Sequence, residues 1–145
     1  MFNPSRADAR SFYFETWRKY QQKLPLAGAE LTAMAIMLEH PEYHALLSQA
    51  TRYEMQDYPP EQGVTNPFLH LSMHLAIQEQ LAINQPVGIQ DYYQRLLARH
   101  QSTSKAQHEI MDCLAEMIWQ AQRLHTDFDA AIYFACLDGK LSLRL

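Results

Sequence analysis

Apolar side chains recur along this chain at intervals of three and four residues, the period of a helix that buries one face. The stretch IQDYYQRLLARH carries the cleanest example. Ile89, Tyr92, Tyr93, Leu96 and Leu97 form one stripe there, with Arg95 and Arg99 beside it. Read in this way, the chain contains five or six helices. The first is predicted to start with Ser5 as cap and Asp8 three residues on, and to run to about Gln22, with Phe12, Trp17 and Tyr20 as bulky anchors. The second starts near Ala27 and carries Leu31, Met34 and Leu38 at helical spacing. Pro41 interrupts it. A residue before proline avoids the α region, so His40 marks a boundary or kink, and Pro41 opens a short continuation, PEYHALLSQ.

Residues 50–65, ATRYEMQDYPPEQGVT, lack periodicity and hold Pro59, Pro60 and Gly63; they read as one long irregular loop. Asn66 followed by Pro67 is a helix start, a capping side chain and then a proline at the first position. The third helix runs from there to about Ile83 and the fourth over residues 88–100. The fifth begins at Ser104 as cap, with Gln107 three residues later, and reaches about Leu124. The sixth starts at Thr126 or Asp127 and stops at Gly139. Short connections between such helices predict an all-α fold, a single compact antiparallel bundle spanning residues 1–145.

Composition agrees. There are two valines and four glycines in 145 residues, and helix formers dominate. A net charge of −4 gives no electrostatic reason to expect nucleic acid or an anionic membrane as a partner. The apolar run LTAMAIML is too short to span a bilayer, and MFNPSRADAR has no apolar core of the kind a signal peptide needs. Cys113 and Cys136 have no paired spacing, which fits a reduced, cytoplasmic protein better than a disulfide scaffold. Glycine-rich phosphate loops, Cys-x-x-Cys pairs and a serine nucleophile elbow are absent from the sequence.

The candidate chemistry lies in NPFLHLSMHLAIQEQ, residues 66–80. On a helical wheel at about 100° per residue with His70 at zero, His74, Ile77 and Leu81 fall at roughly 40°, 340° and 20°. Both histidines therefore share the apolar stripe and are predicted to face the core, where an imidazole needs partners. Side chains four apart are neighbours, and one metal ion bridges that spacing. His44, with Leu47 on its face, and His108, with Asp112 four residues on, are the candidates for a third ligand from another helix. Asp112 would be a further ligand or a group that orients His108. His40 reads as a helix-end residue near the C-terminal dipole.

The stretches NPFLHLSMHLAIQEQ, HPEYHALL, PEQGVTNP, MFNPSR and AEMIWQAQR together resemble the domain-of-unknown-function family 1841, small bacterial proteins whose motif reads NPFLHM-x-LH-x-AI-x-EQ. The resemblance covers nearly the whole chain. It implies a helical, cytosolic protein, and it places His40, His44, Asn66, Pro67, His70, His74, Glu79, Gln80, His108 and Glu116 within or near family-typical stretches.

Two readings follow. In the first, which the sequence favours, the protein is a non-enzymatic structural or interaction protein, bound to a protein partner or to itself, and its histidines hydrogen-bond buried groups. In the second it is a metal-binding helical bundle, with an unknown reaction if it is an enzyme at all. Metal ligands would then come from His70, His74, His44, His108 and Asp112, around one divalent ion, Zn, Fe, Ni or Mn, with Cu also suited to nitrogen ligands. The second reading requires that His70 and His74 converge with at least one of His44 or His108.

Overall fold

All regular structure among the described residues is helical. The computed structural model describes residues 6–53, 56 and 66–142. It contains α1 (Arg6–Gln21), α2 (Ala29–Leu38), a 3₁₀ turn (Pro41–Tyr43), α3 (His44–Leu47), α4 (Ala50–Tyr53), α5 (Pro67–Ile83), α6 (Ile89–His100), α7 (Thr103–Leu124) and α8 (Ala130–Ser142). Eight α-helices thus stand among the described residues where the sequence reads five or six. The expected continuation PEYHALLSQ is present as the 3₁₀ turn and α3, whereas α4, inside the stretch read as loop, is a single turn too short for apolar periodicity to register. No described helix is long and apolar enough to cross a membrane. The chain divides into two units, one ending at Leu75 and the next beginning at Ala76.

The first unit has an aromatic core. Tyr13, Phe14 and Trp17 of α1 meet Ala33, Met34, Ile36 and Met37 of α2, Leu47 of α3, and Phe68 and Leu71 of α5. Of the expected anchors, Trp17 is buried, Phe12 packs at the core's edge, and Tyr20 is exposed. Leu31 and Leu38 are also exposed. Helix α2 reads AELTAMAIML, apolar on nearly every side, so spacing alone could not choose which face packs. Polar ties cross this core. The Trp17 indole donates to Ser48 Oγ at 2.9 Å, and the Tyr13 hydroxyl meets Ser72 Oγ at 2.8 Å.

Arg10 is buried on α1. Its guanidinium donates to the carbonyls of Tyr53 and Gln56, at 3.1 and 2.7 Å, and lies 4.5 Å over the Phe68 ring. The stretch expected to be irregular from residue 50 therefore begins with an ordered turn, α4, whose carbonyl Arg10 grips. Apart from Gln56, its remaining residues, with Pro59, Pro60 and Gly63, and the expected Ser5 cap lie outside the described residues. Asn66 does cap α5: its side-chain oxygen accepts from the backbone N–H groups of Phe68 and Leu69 at 3.0 and 3.2 Å.

In the second unit, α7 buries Ala106, Ile110, Cys113, Leu114, Met117 and Ala121, the i, i+4, i+7, i+8 stripe of an amphipathic helix. Ile89 and Leu96 of α6 and Tyr133 and Leu137 of α8 are buried as well. Tyr92 stacks on Phe134 with ring centroids 5.0 Å apart, and its hydroxyl donates to Asp138 at 2.8 Å. The cap of α7 is Ser102 rather than Ser104: Ser102 Oγ accepts from the Lys105 N–H at 3.2 Å. Helix α8 starts at Ala130, where Asp129 Oδ1 accepts from the Ala131 N–H, and it continues through Gly139 to Ser142. Two contacts hold that last turn. Lys140 reaches Glu109 and Asp112 at 3.4 and 3.2 Å, and Arg99 donates to the carbonyls of Lys140 and Leu141.

The two cysteines correct the expectation of reduced thiols. Cys113 and Cys136 form a disulfide with their Cα atoms 5.5 Å apart. Their separation of 23 residues matches no local motif. It arises because α8 runs back along α7: Cys136 meets Cys113 while the later Lys140 meets the earlier Glu109 and Asp112.

Replacing both cysteines by alanine should lower the unfolding free energy by about 3 kcal/mol, the loop-closure contribution of a cross-link over a span of this length. Urea denaturation without reductant measures this, and an unshifted midpoint would show that the cross-link does not constrain the chain. Asn66→Ala should cost about 1 kcal/mol through loss of the α5 cap, read in the same denaturation.

Candidate metal centre

Two features of the backbone deliver three imidazoles to one place in the first unit. Helix α5, started by Asn66 and Pro67, carries His70 and His74 four residues apart on one side. The bend between α2 and the 3₁₀ turn supplies His40. Its backbone is non-helical, φ −124° and ψ 67°, as the following Pro41 demands. His40 Nε2 lies 3.1 Å from His74 Nε2, and His74 Nε2 lies 3.2 Å from His70 Nε2. Ligand atoms of all three fall within 4.8 Å of one another. His40 and His74 are buried and His70 is half-buried.

The spacing has a chemical meaning. Nitrogens each about 2.0–2.1 Å from one ion, at angles between octahedral and tetrahedral, stand roughly 2.9–3.4 Å apart. The two contacts fall in that interval. Hydrogen bonding accounts for them less well. An imidazole Nε2 presents one in-plane position, occupied by either a proton or a lone pair. His74 Nε2 faces two other Nε2 atoms, so it can serve one of them by a hydrogen bond, whereas a cation at the common focus accepts all three.

The surroundings set the tautomer of His40. Its Nδ1 stands 2.9 Å from Glu42 Oε2. An ionised carboxylate only accepts, so Nδ1 carries the proton and Nε2 the lone pair. The hydrogen bond from His40 holds the Glu42 carboxyl below the usual carboxylate range. A carboxylate behind a ligating imidazole is the arrangement that fixes ring orientation and raises ligand basicity in metal sites. Tyr43 stacks on His40 with centroids 5.4 Å apart. Burial, and then the Glu42 charge, push its phenol up, so that it stays protonated at neutral pH.

The expected residues are distributed as follows. His70 and His74 do meet an imidazole from another element, but it is His40, which the sequence reads as a helix-end residue. The signal available was HPEYH, a second pair of histidines four apart; the proline inside it hid the fact that the bend aims His40 inward. His44 faces elsewhere: its Nε2 donates to the Met37 carbonyl at 2.8 Å, and its ring lies on Trp17 with centroids 4.6 Å apart. His108 stands in the first turns of α7 in the second unit, half-buried, with Nδ1 2.7 Å from the Ser104 carbonyl. That bond places the proton on Nδ1 and the lone pair on Nε2. Asp112 is exposed and paired with Lys140. His100 ends α6, with Nε2 3.9 Å from Glu109.

No curated protein and no solved structure matches the chain significantly. A family model does. The family described as domain of unknown function (DUF1841) matches residues 5–139, nearly the entire sequence, and the chain therefore belongs to that family.

Proposed function

We propose that this protein binds one divalent transition-metal ion through His40, His70 and His74. The observation that carries this reading is the approach of three Nε2 atoms, His74 to His40 at 3.1 Å and His74 to His70 at 3.2 Å, separations at which one cation takes all three nitrogens as ligands. A further feature supports it: the Glu42 carboxylate behind His40 leaves the outer nitrogen of that ring with its lone pair. An all-nitrogen set suits Zn, Cu, Fe or Ni better than Mn, which prefers oxygen. Three protein ligands would keep a position open for water or substrate, as catalytic sites do; a fourth would close the centre, as structural sites are closed.

The purely structural alternative, in which the imidazoles only brace the helices, requires the cluster to be complete without an ion. Elemental analysis of the untagged protein separates the two readings. The expected result is close to one Zn, Cu, Fe or Ni per chain, lost in a His70→Ala, His74→Ala double variant. A chain that takes up none of these ions after incubation with each would leave the histidines as architecture.

Glu42→Gln should lower metal affinity by roughly 10–100-fold with little effect on fold, because it removes the carboxylate that orients His40. Competition titration with a chromophoric chelator reads this directly.

A further inference from the structure

The bend that presents His40 is fastened by a residue outside the proposed ligand set. The Met37 carbonyl, at the end of α2, accepts two hydrogen bonds: one from the His40 backbone N–H at 3.1 Å, the other from His44 Nε2 at 2.8 Å. Met37 is fully buried, so this carbonyl has no access to bulk water in exchange. Pro41 has no N–H to give and cannot hold the bend by itself. His44 comes from the next helix, α3, and reaches back across the bend to close it.

His44 is itself held from two sides. Its ring lies on the Trp17 indole at 4.6 Å, and Trp17 Nε1 donates to Ser48 Oγ at 2.9 Å. Ser48 in turn donates from its backbone N–H and its hydroxyl to the His44 carbonyl, at 3.2 and 3.1 Å. The sequence thus runs from a buried anchor on α1, through α3, to the backbone of the residue three before His40. A shift of α3 along this path moves His40 relative to His70 and His74, which ride on a separate helix.

From this geometry we propose that His44 is a positioning residue for the metal centre: it does not ligate, and its Nε2–H fixes the Met37–His40 bend so that His40 Nε2 reaches the focus of the α5 imidazoles. The proposal rests on the metal-binding reading above. It also assigns a different duty to a histidine whose spacing from His40 would suggest a second ligand pair.

Two variants separate the hydrogen bond from the ring. His44→Gln keeps a side-chain N–H of similar reach and loses the stack on Trp17. His44→Phe keeps the stack and loses the donor. In zinc competition titrations of the full chain, His44→Phe should bind about tenfold more weakly or worse, on the order expected for loss of a group outside the ligand set. His44→Gln should stay within roughly threefold of the unaltered chain, since it keeps the donor that the geometry requires. With Co(II) as the probe, the visible spectrum should change in His44→Phe and be recovered in His44→Gln. A residue that served only stability would lower the unfolding midpoint of the metal-free protein in both variants and leave zinc affinity alone.

A second measurement needs no variant. In ¹⁵N spectra of histidine-labelled protein, zinc should move the ring nitrogens of His40, His70 and His74 and leave those of His44 in place. A ligand-type shift at His44, or a His44→Phe chain with unaltered zinc affinity, overturns the positioning role while the metal reading stands. An unaltered chain that takes up no zinc, copper, iron or nickel overturns the metal reading, and this proposal with it.

Discussion

An imidazole nitrogen has one direction in which to give or accept. When three of them are brought close together, as at His40, His70 and His74, each serves one neighbour along that direction and no more. The first unit of this protein depends on that constraint. His40 and His74 are buried, where a polar atom needs its partners. Every local feature around them, the Asn66 cap, the Pro41 bend and the Glu42 and Met37 contacts, serves to fix where those nitrogens lie.

The arrangement uses two different ways of placing a side chain. His70 and His74 are placed by helical repetition, which needs only a rigid helix and a defined start. His40 is placed by an interruption: a helix ends, a proline forbids continuation, and a short 3₁₀ turn carries the chain away. Repetition is precise but puts both groups on one line. The interruption supplies an approach from another direction, and three nitrogens around a focus require more than one line of approach.

That difference explains what could be read from the sequence. The α5 boundaries, its cap, and the sharing of one face by His70 and His74 follow from Asn66-Pro67 and from spacing, and they were legible. So were α6 and most of α7, whose stripes are clean. The inward turn of His40 was not, because a bend has no period and its direction depends on packing between α2 and α3. The disulfide was hidden for a similar reason: Cys113 and Cys136 become neighbours only once α8 folds back on α7. Gly139 misled because it looks like a helix stop, whereas contacts from Arg99 and from Glu109 and Asp112 to the residues after it carry the helix on. Leu31 and Leu38 misled because α2 has no polar face to mark its exposed side.

The i, i+4 register of α5 has a consequence for how the gene can vary in length. Deleting or inserting one residue between His70 and His74 turns the second ring by about 100° around the helix axis and off the shared face. No side-chain adjustment recovers that angle. The Asn66 cap fixes where the helix begins, and with it the phase of both rings. The eight residues from Asn66 to Met73 that lead up to His74 therefore form a reading frame for the two rings, in which a slip of one residue costs more than a change of side chain.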